Sequence, residues 1–400
     1  MSRSQATAQH SDPGFRPDPI ATARASFPRL STWAAEHRGT RGPTPELVRE
    51  LRRGGVFSMA LPHALGGLQS DPETIVSTVQ EISRADGSTG WNTLIAGTNA
   101  FLAWLEPWAA EELLAEVGST APLMAGSTAP AGSSTVEDGG RLFKVTGRWA
   151  FCSGISGADV MMAGFRADGP ADSPMLERAR VAFVPARDAV VHDTWHTMGL
   201  QGTGSHDVEL SGAVVPSSRV VALSTARSHH DGPLFRLTPY NVLMVLLAGF
   251  PLGVTRRALD EFTAQAGAKT RPGASTSLLE SPRTVSTVMR AETALRAARS
   301  LVDDVFGEVW EVLSDGREPS GAQRASIAAA TVHAMETGRG ITGELVRLAG
   351  TSALHLDNPL QRCLRDLQAG GQHFAFSPDL RSAYGRTFLG LTAPPALFHV

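Results

Sequence analysis

The chain has 400 residues, of which 42% are hydrophobic and 19% charged, and this composition excludes a disordered protein. The formal net charge of -3 at pH 7 excludes a protein that binds nucleic acid through a basic surplus. The two cysteines, Cys152 and Cys363, are too few and too distant for a disulfide framework or a zinc site. We therefore expect a protein of the reducing cytoplasm.

The N-terminal segment 1–17 has no apolar core, so we expect a flexible tail and not a signal peptide. The longest apolar run, Val242 to Phe250, is far shorter than the roughly 20 residues that cross a bilayer. We therefore expect no association with a membrane.

The first third of the chain, 18–120, is patterned for helices. Thr44 and Asp71 are each followed by a proline, which is the residue order of an N-cap and a first helical position. After Asp71, the apolar residues Ile75, Val79 and Ile82 recur at the helical period. We predict an N-terminal helical domain here.

The middle third, 121–225, is patterned for strands. Turn clusters separate short runs rich in Val, Phe and Met, which are 142–151, 160–165, 181–184 and 213–215. This spacing predicts a small antiparallel β-barrel or sandwich.

The last third, 235–395, returns to helical patterns at about 239–266, 281–313, 321–350 and 359–390. An α, then β, then α order predicts an α+β fold with segregated layers, and not alternating βαβ units.

Several short strings resemble functional motifs but lack the structural context that those functions require. The GxGxxG string at 338–343 lies inside a helical pattern and lacks the preceding strand that a dinucleotide site requires. Ser156 lies in a GxSxG-like string whose last glycine is missing, so it is no nucleophile candidate. His192 and His196 lie in a strand pattern, where positions four apart are roughly 13 Å from each other. We predict no metal site.

Three segments carry the informative motifs. The first comprises AGST (125–128) and, about twenty residues later, GRWAFCSG (147–154); the others are WHTMGLQGTGSHDV (195–208) and PLQRCLRDLQAGGQH (359–373). In this order the set resembles the two-component flavin-dependent monooxygenases built on the acyl-CoA dehydrogenase fold. The resemblance covers about residues 20–392. It implies an N-terminal helical domain, a central antiparallel β-barrel and a C-terminal four-helix bundle.

The resemblance also implies an activity. The oxygenase would take reduced flavin, FAD or FMN, from a separate NAD(P)H:flavin reductase, and would use O2 to form a C4a-hydroperoxyflavin. It would hydroxylate a small aromatic substrate in secondary metabolism or aromatic catabolism. The C-terminal bundle would mediate a homotetramer with flavin at the subunit boundaries.

The same resemblance assigns flavin contacts. Ser153 would hold the proton of flavin N5, and Trp149 would pack against the isoalloxazine. Trp149 lies four residues before Ser153, hence on the same strand face if the strand is regular. Ser127 and Thr128 would form the flavin-facing end of a strand, and Arg271 would reach the flavin pyrophosphate of a neighbouring subunit.

His373 follows Gly370-Gly371 on a C-terminal helix pattern, and the resemblance implies that it faces flavin and substrate. An imidazole with a pKa near 6.5 could take a phenolic proton. Close approach of a ligand or another backbone would explain the glycine pair. Arg365 and Asp366 are expected to form a structural ion pair.

The substrate pocket would be lined by the apolar stretch Trp91–Trp108, with Asn92 and Asn99 as polar contacts. Gln201 departs from the resemblance, since relatives often carry Arg at this GLRGTGS position.

Alternatives stay open at this point. Ser153, Trp149 and His373 could each be packing residues. The enzyme could be an N-oxygenase of an amine or amino sugar, or an acyl-CoA dehydrogenase with Asp379 or Glu344 as its base. It could also be a non-catalytic flavin or partner-binding relic. The absence of a nicotinamide-binding unit favours the oxygenase.

Overall fold

The computed structural model describes residues 16–37, 39–168, 178–222, 226–270, 273 and 275–391. Within these residues, five helices precede a sheet and five helices follow it. The N-terminal helices are α1 (Pro19–Glu36), α2 (Pro45–Arg53), α3 (Pro72–Ala85), α4 (Gly87–Ala96) and α5 (Pro107–Val117).

Local sequence explains where these helices begin. Thr44 Oγ1 accepts the Leu47 N–H at 3.3 Å and caps α2, and Asp71 Oδ1 accepts the Thr74 N–H at 2.7 Å and caps α3. Each cap satisfies a backbone donor that has no partner inside the helix. Both predicted helix starts are therefore confirmed.

The central layer is a seven-stranded sheet in the order β5-β6-β2-β1-β3-β4-β7. Its strands are β1 (Met124–Glu137), β2 (Leu142–Cys152), β3 (Val160–Arg166), β4 (Ala179–Pro185), β5 (Val190–His192), β6 (His206–Pro216) and β7 (Val220–Val221).

The predicted antiparallel barrel is wrong, because the sheet is open and mixed. Its edges β5 and β7 form no ladder with each other in the described part of the chain. β1 pairs with β3 in parallel over Met124–Ser127 and, after a register shift, again at Gly132 and Ser133. It pairs with β2 antiparallel over Ser133–Glu137.

The C-terminal helices are α6 (Pro239–Ala268), α7 (Pro282–Ser314), α8 (Gly321–Ala349), α9 (Pro359–Gly370) and α10 (Pro378–Phe388). α6 packs between α3 and α8, α7 packs along α8, and α9 packs against α6 and α8. The predicted helix 359–390 is two helices, since α9 ends at Gly370 and a 3-10 turn forms at Phe374–Phe376. His373 therefore lies in a turn and not on a helix.

α6 is the one described helix that is long and apolar enough to cross a bilayer, with a mean hydropathy of 1.5 over its best 18-residue window. However, 89% of that window is buried inside the protein. The continuous apolar surface of α6 serves the core between α3 and α8.

Candidate active site

The motif segments converge around the loop 195–205. Ser88 Oγ, on α4, accepts the Gly202 N–H at 3.1 Å. The Thr203 carbonyl accepts two bonds, from Asn92 Nδ2 at 3.3 Å and from the Gly154 N–H at 2.9 Å. The loop is thus tied to α4 and to the turn after β2.

Helix α9 holds the other side of this loop. Asp366 Oδ1 accepts the Leu200 N–H at 2.7 Å, and Arg365 Nη1 donates to the Met198 carbonyl at 2.7 Å. A Cβ at Gly199 would lie 2.1 Å from the Arg365 carbonyl oxygen, so only glycine permits this approach. The expected Arg365–Asp366 ion pair is wrong, because each side chain binds loop backbone instead.

Asp366 is a buried carboxyl group with 4% of its surface exposed. Burial raises its pKa to about 7; the Leu200 N–H opposes this rise, the Asp86 carboxylate adds to it, and the Arg362 and Arg365 guanidinium groups oppose it. The group that fixes the loop therefore titrates near neutral pH.

Ser153 belongs to a chain of hydrogen bonds that runs from Trp91 to Leu200. Its Oγ accepts the indole N–H of Trp91 at 3.1 Å and lies 2.7 Å from Ser205 Oγ. Ser205 Oγ lies 2.6 Å from Thr203 Oγ1, which donates to the Leu200 carbonyl at 2.8 Å. The motifs GRWAFCSG and GLQGTGSHDV thus meet through their hydroxyl groups.

Trp91 connects Ser153 to His373. Its ring meets Phe250 edge-on at 5.1 Å and His373 at 5.7 Å between centroids. A Cβ at Gly370 would lie 2.8 Å from Phe250 Cε1 and 3.0 Å from Trp91 Cζ3. Room for these two rings, and not for a ligand or another backbone, explains the glycine at Gly370.

His373 is half-buried, and its Nδ1 accepts the Ala375 N–H at 3.3 Å. Burial lowers the pKa of His373 to about 4, well below the expected 6.5. The imidazole is therefore neutral at pH 7 and carries its proton on Nε2. In this tautomer it presents a hydrogen-bond donor at Nε2, and not a free base.

The strand is irregular between Trp149 and Ser153, so the condition under which the two residues would share a face is not met. Phe151 has φ +63°, and the pairing of β2 with β6 shifts register between Trp149 and Cys152. Trp149 is 1% exposed, and its indole N–H donates to the Gly164 carbonyl at 2.7 Å. This location suits a core residue of the sheet, and a contact of Trp149 with flavin stays a prediction.

Phe151 was not among the predicted site residues. It is 72% exposed although it is a large aromatic residue. A positive φ is rare for such a residue and marks local strain, which concentrates at functional sites. Its ring meets Trp195 edge-on at 6.2 Å. The one available signal was its position, two residues before Ser153, since no sequence pattern announces the left-handed backbone.

The two polar residues predicted to line the substrate pocket, Asn92 and Asn99, lie in different surroundings in the structure. Asn92 lies beside the turn at Gly154. Asn99 is fully buried and donates from Nδ2 to the Phe57 carbonyl at 2.6 Å and the Pro122 carbonyl at 3.1 Å. Asn99 therefore braces backbone segments, and the structure does not support the predicted substrate contact.

Other predicted residues occupy different places. Ser127 and Thr128 lie at the register shift inside β1 and not at a strand end, and Ser127 Oγ accepts the Ala129 N–H at 3.2 Å. Gln201 Nε2 donates to the Thr197 carbonyl at 2.9 Å, within its own loop. Arg271 lies outside the described residues.

The carboxylates considered for a dehydrogenase base lie elsewhere. Glu344 on α8 forms an ion pair with Arg290 of α7 at 3.4 Å. Asp379 is exposed in the first turn of α10. Within the described part of the chain, neither carboxylate is hydrogen-bonded to Trp91 or His373.

Comparison with known proteins defines the class. Residues 22–118 match the model of the acyl-CoA dehydrogenase N-terminal domain, and residues 245–378 match that of the C-terminal domain. Indole-3-acetate monooxygenase of Pseudomonas putida is 29% identical over 337 residues, which is 84% of each chain. The oxygenase subunit HsaA of a flavin-dependent monooxygenase from Rhodococcus jostii is 28% identical over 372 residues, covering 89% of this chain and 94% of its own.

A solved structure agrees with these relatives. The crystal structure of 3-HSA hydroxylase from Rhodococcus sp. RHA1 superposes with a TM-score of 0.85 at 26% identity, covering 95% of this chain and 98% of that one. The chain belongs to the flavin-dependent monooxygenases of the acyl-CoA dehydrogenase superfamily. The predicted family is confirmed, and the names of the relatives favour the monooxygenase over the dehydrogenase alternative.

Proposed function

We propose that this enzyme hydroxylates a small aromatic compound, with reduced flavin from a separate reductase and with O2. The observation that carries this proposal is the cluster of Ser153, Trp91 and His373, which joins a polar hydroxyl group, aromatic rings and a neutral imidazole. Indole-3-acetate, for which one relative is named, contains an aromatic ring. The separate reductase is supported by the name of another relative, an oxygenase subunit.

The residues around Ser153 fit a flavin ring system. An isoalloxazine is flat and largely apolar, with a polar edge at N5. Phe151 offers an exposed aromatic surface, and Ser153 keeps 6% of its surface exposed beside it. A bound reduced flavin would supply two electrons to O2, one atom of which would enter the substrate while the other left as water.

We assign roles accordingly. Ser153 Oγ would accept a hydrogen bond from flavin N5–H, and Phe151 would pack against the flavin ring. His373 donates from Nε2 to an oxygen of the substrate and orients its ring, because the neutral tautomer presents a donor there. Asn92, which lies beside the Gly154 turn, would contact the substrate through its amide oxygen.

Further flavin contacts remain part of the proposal. Ser127 and Thr128 would lie along another edge of the flavin, where β1 leaves its regular pairing with β3. Arg271 would bind the pyrophosphate of a flavin in a neighbouring subunit, because a planar guanidinium suits phosphate.

We also propose a homotetramer in the cytoplasm, formed by a C-terminal four-helix bundle within 235–395. Val285 and Met289 lie one turn apart on α7 and expose 56% and 59% of their surfaces. Apolar residues exposed along one helix face favour association with a second copy. In this proposal the N-terminal helical domain spans 18–120, and the domain that binds flavin and substrate spans 121–225.

The function is tested by supplying the purified protein with NADH, a flavin reductase, FAD or FMN, and a panel of phenols and indoles under ¹⁸O2. Incorporation of one ¹⁸O atom into an aromatic product supports the proposal. Consumption of O2 with hydrogen peroxide as the sole product across the panel contradicts aromatic hydroxylation of these compounds.

A further inference from the structure

The hydrogen-bond chain through Ser153 has a fixed direction. At one end, the indole nitrogen of Trp91 can only donate; at the other end, the Leu200 carbonyl can only accept. Three hydroxyl groups, those of Ser153, Ser205 and Thr203, lie between them at hydrogen-bonding distances of 2.6–3.1 Å.

A count of protons settles each bond. The Leu200 carbonyl also accepts the Trp195 indole N–H at 2.9 Å and the Thr203 N–H at 3.1 Å. Thr203 Oγ1 lies 2.8 Å from the same oxygen and gives it its only hydroxyl proton, because two oxygen atoms that close with no proton between them would repel each other. Ser205 must then donate to Thr203 at 2.6 Å, and Ser153 must donate to Ser205 at 2.7 Å. Consecutive bonds of one direction polarise and strengthen one another.

Ser153 consequently has no proton left to donate. Its oxygen accepts from Trp91 and keeps one lone pair for a further partner. The N5 atom of flavin carries a proton in the reduced form, whereas in the oxidised form it presents a lone pair. A Ser153 with only a lone pair to offer attracts reduced N5–H and repels oxidised N5.

We infer that Thr203 and Ser205 are positioning residues that make the site selective for reduced over oxidised flavin, by committing the proton of Ser153. This inference rests on the proposed function, which places N5 beside Ser153. Such selectivity suits an enzyme that must take reduced flavin from a separate reductase and release oxidised flavin afterwards.

Two substitutions should weaken the selectivity for reduced flavin by different routes. Ser205→Ala removes the acceptor of the Ser153 proton, which is then free to donate to oxidised N5. Thr203→Val keeps the side-chain volume but removes the acceptor for Ser205, whose proton then turns toward Ser153. Both should lower the ratio of Kd for oxidised flavin to Kd for reduced flavin by about 3- to 10-fold, the usual range for one hydrogen bond.

The measurement is titration of the intact protein with oxidised flavin in air and with dithionite-reduced flavin without oxygen, for FAD and for FMN. Thr203→Ser and Ser205→Thr keep both hydroxyl groups and should keep the wild-type ratio. Ser211→Ala removes an exposed hydroxyl group of β6 that bonds Glu209, and it should also leave the ratio unchanged. Circular dichroism of each variant verifies its fold.

The outcomes separate this inference from the proposed function. A lowered ratio in both Ser205→Ala and Thr203→Val, with unchanged controls, supports the inference. Wild-type binding of flavin with an unchanged ratio in a folded Thr203→Val overturns the inference and leaves the function standing. Failure of the wild-type protein to bind flavin in either form overturns both.

Discussion

Asp366 accepts the backbone N–H of Leu200 through Oδ1 at 2.7 Å, although the two residues are 166 positions apart. Leu200 has φ +52°, a backbone conformation that a branched side chain rarely adopts. The buried carboxyl group thus holds a strained loop whose other residues bond Ser153. The acidic residue in the third motif is explained by this contact.

The stability of Asp366→Asn relative to that of the wild type should increase as pH rises. The native pKa of Asp366 is raised from 3.8 to about 7, so between these values the folded state holds a proton that the unfolded state has released. The wild-type free energy of unfolding therefore falls as pH rises through this window, by about 1.4 kcal/mol for each pH unit. Asn keeps an acceptor for Leu200 and lacks the titration.

Thermal unfolding from about pH 4 to pH 8 checks this dependence. The Tm of Asp366→Asn minus that of the wild type should increase with pH. The exposed Asp379→Asn serves as control and should show a constant difference. An Asp366→Asn difference that stays constant or decreases would show that Asp366 is ionised throughout the window.

Ser153→Ala should uncouple oxygen use from product formation. Without the hydroxyl group, N5–H has no acceptor, and reduced flavin should yield more hydrogen peroxide per molecule consumed. The change should be severalfold, since one hydrogen bond is worth about 0.5–1.5 kcal/mol. Ser156→Ala removes an exposed hydroxyl group three residues away and should behave as the wild type. An unchanged peroxide yield would remove Ser153 from the mechanism.

His373→Ala should slow hydroxylation by about 2- to 10-fold, the range expected when one hydrogen bond to the substrate is lost. Because burial lowers the pKa of His373 to about 4, the loss should be the same across pH 6 to 9. Rates of product formation at several pH values measure this, with the exposed His333→Ala as control. A loss that appears only at one end of the range would show that His373 titrates there and acts as a base.

Gly370→Ala should disturb the site by crowding. The new methyl group would lie 2.8 Å from Phe250 Cε1 and 3.0 Å from Trp91 Cζ3, and overpacking of this kind destabilises by about 1–3 kcal/mol. Displacement of Trp91 should also weaken its bond to Ser153 and raise the peroxide yield. A Cβ at Gly340 on α8 would meet nothing within 4 Å. Gly340→Ala should therefore stabilise the fold by up to ~1 kcal/mol. Equal Tm values for the two variants would contradict the packing described here.

The parts of the fold that local sequence determines were predicted well. Thr44 and Asp71 fix helix starts through contacts three residues away, and such contacts are visible in sequence. The open sheet was not predicted, because closure depends on whether β5 and β7 meet, which strand patterns do not encode. The break after Gly370 was missed because 359–390 keeps a helical pattern on both sides of the turn.

The site was only partly predicted, because some of its properties depend on tertiary structure. The motifs identified Ser153 and His373, yet they gave no sign that Trp149 lies in the sheet core. That separation follows from the positive φ of Phe151, which depends on tertiary structure. The low pKa of His373 likewise results from burial among rings, and residue type alone suggests 6.5.

We expect this protein to bind reduced flavin and to control its reaction with O2. Stopped-flow mixing of the anaerobic protein–reduced flavin complex with O2, followed by flavin absorbance, is the test. We expect the oxidised spectrum to return in two separated phases, with hydrogen peroxide released only in the second, and at a lower peroxide yield when an aromatic substrate is present. A single phase with the rate and peroxide yield of free reduced flavin would contradict the claim.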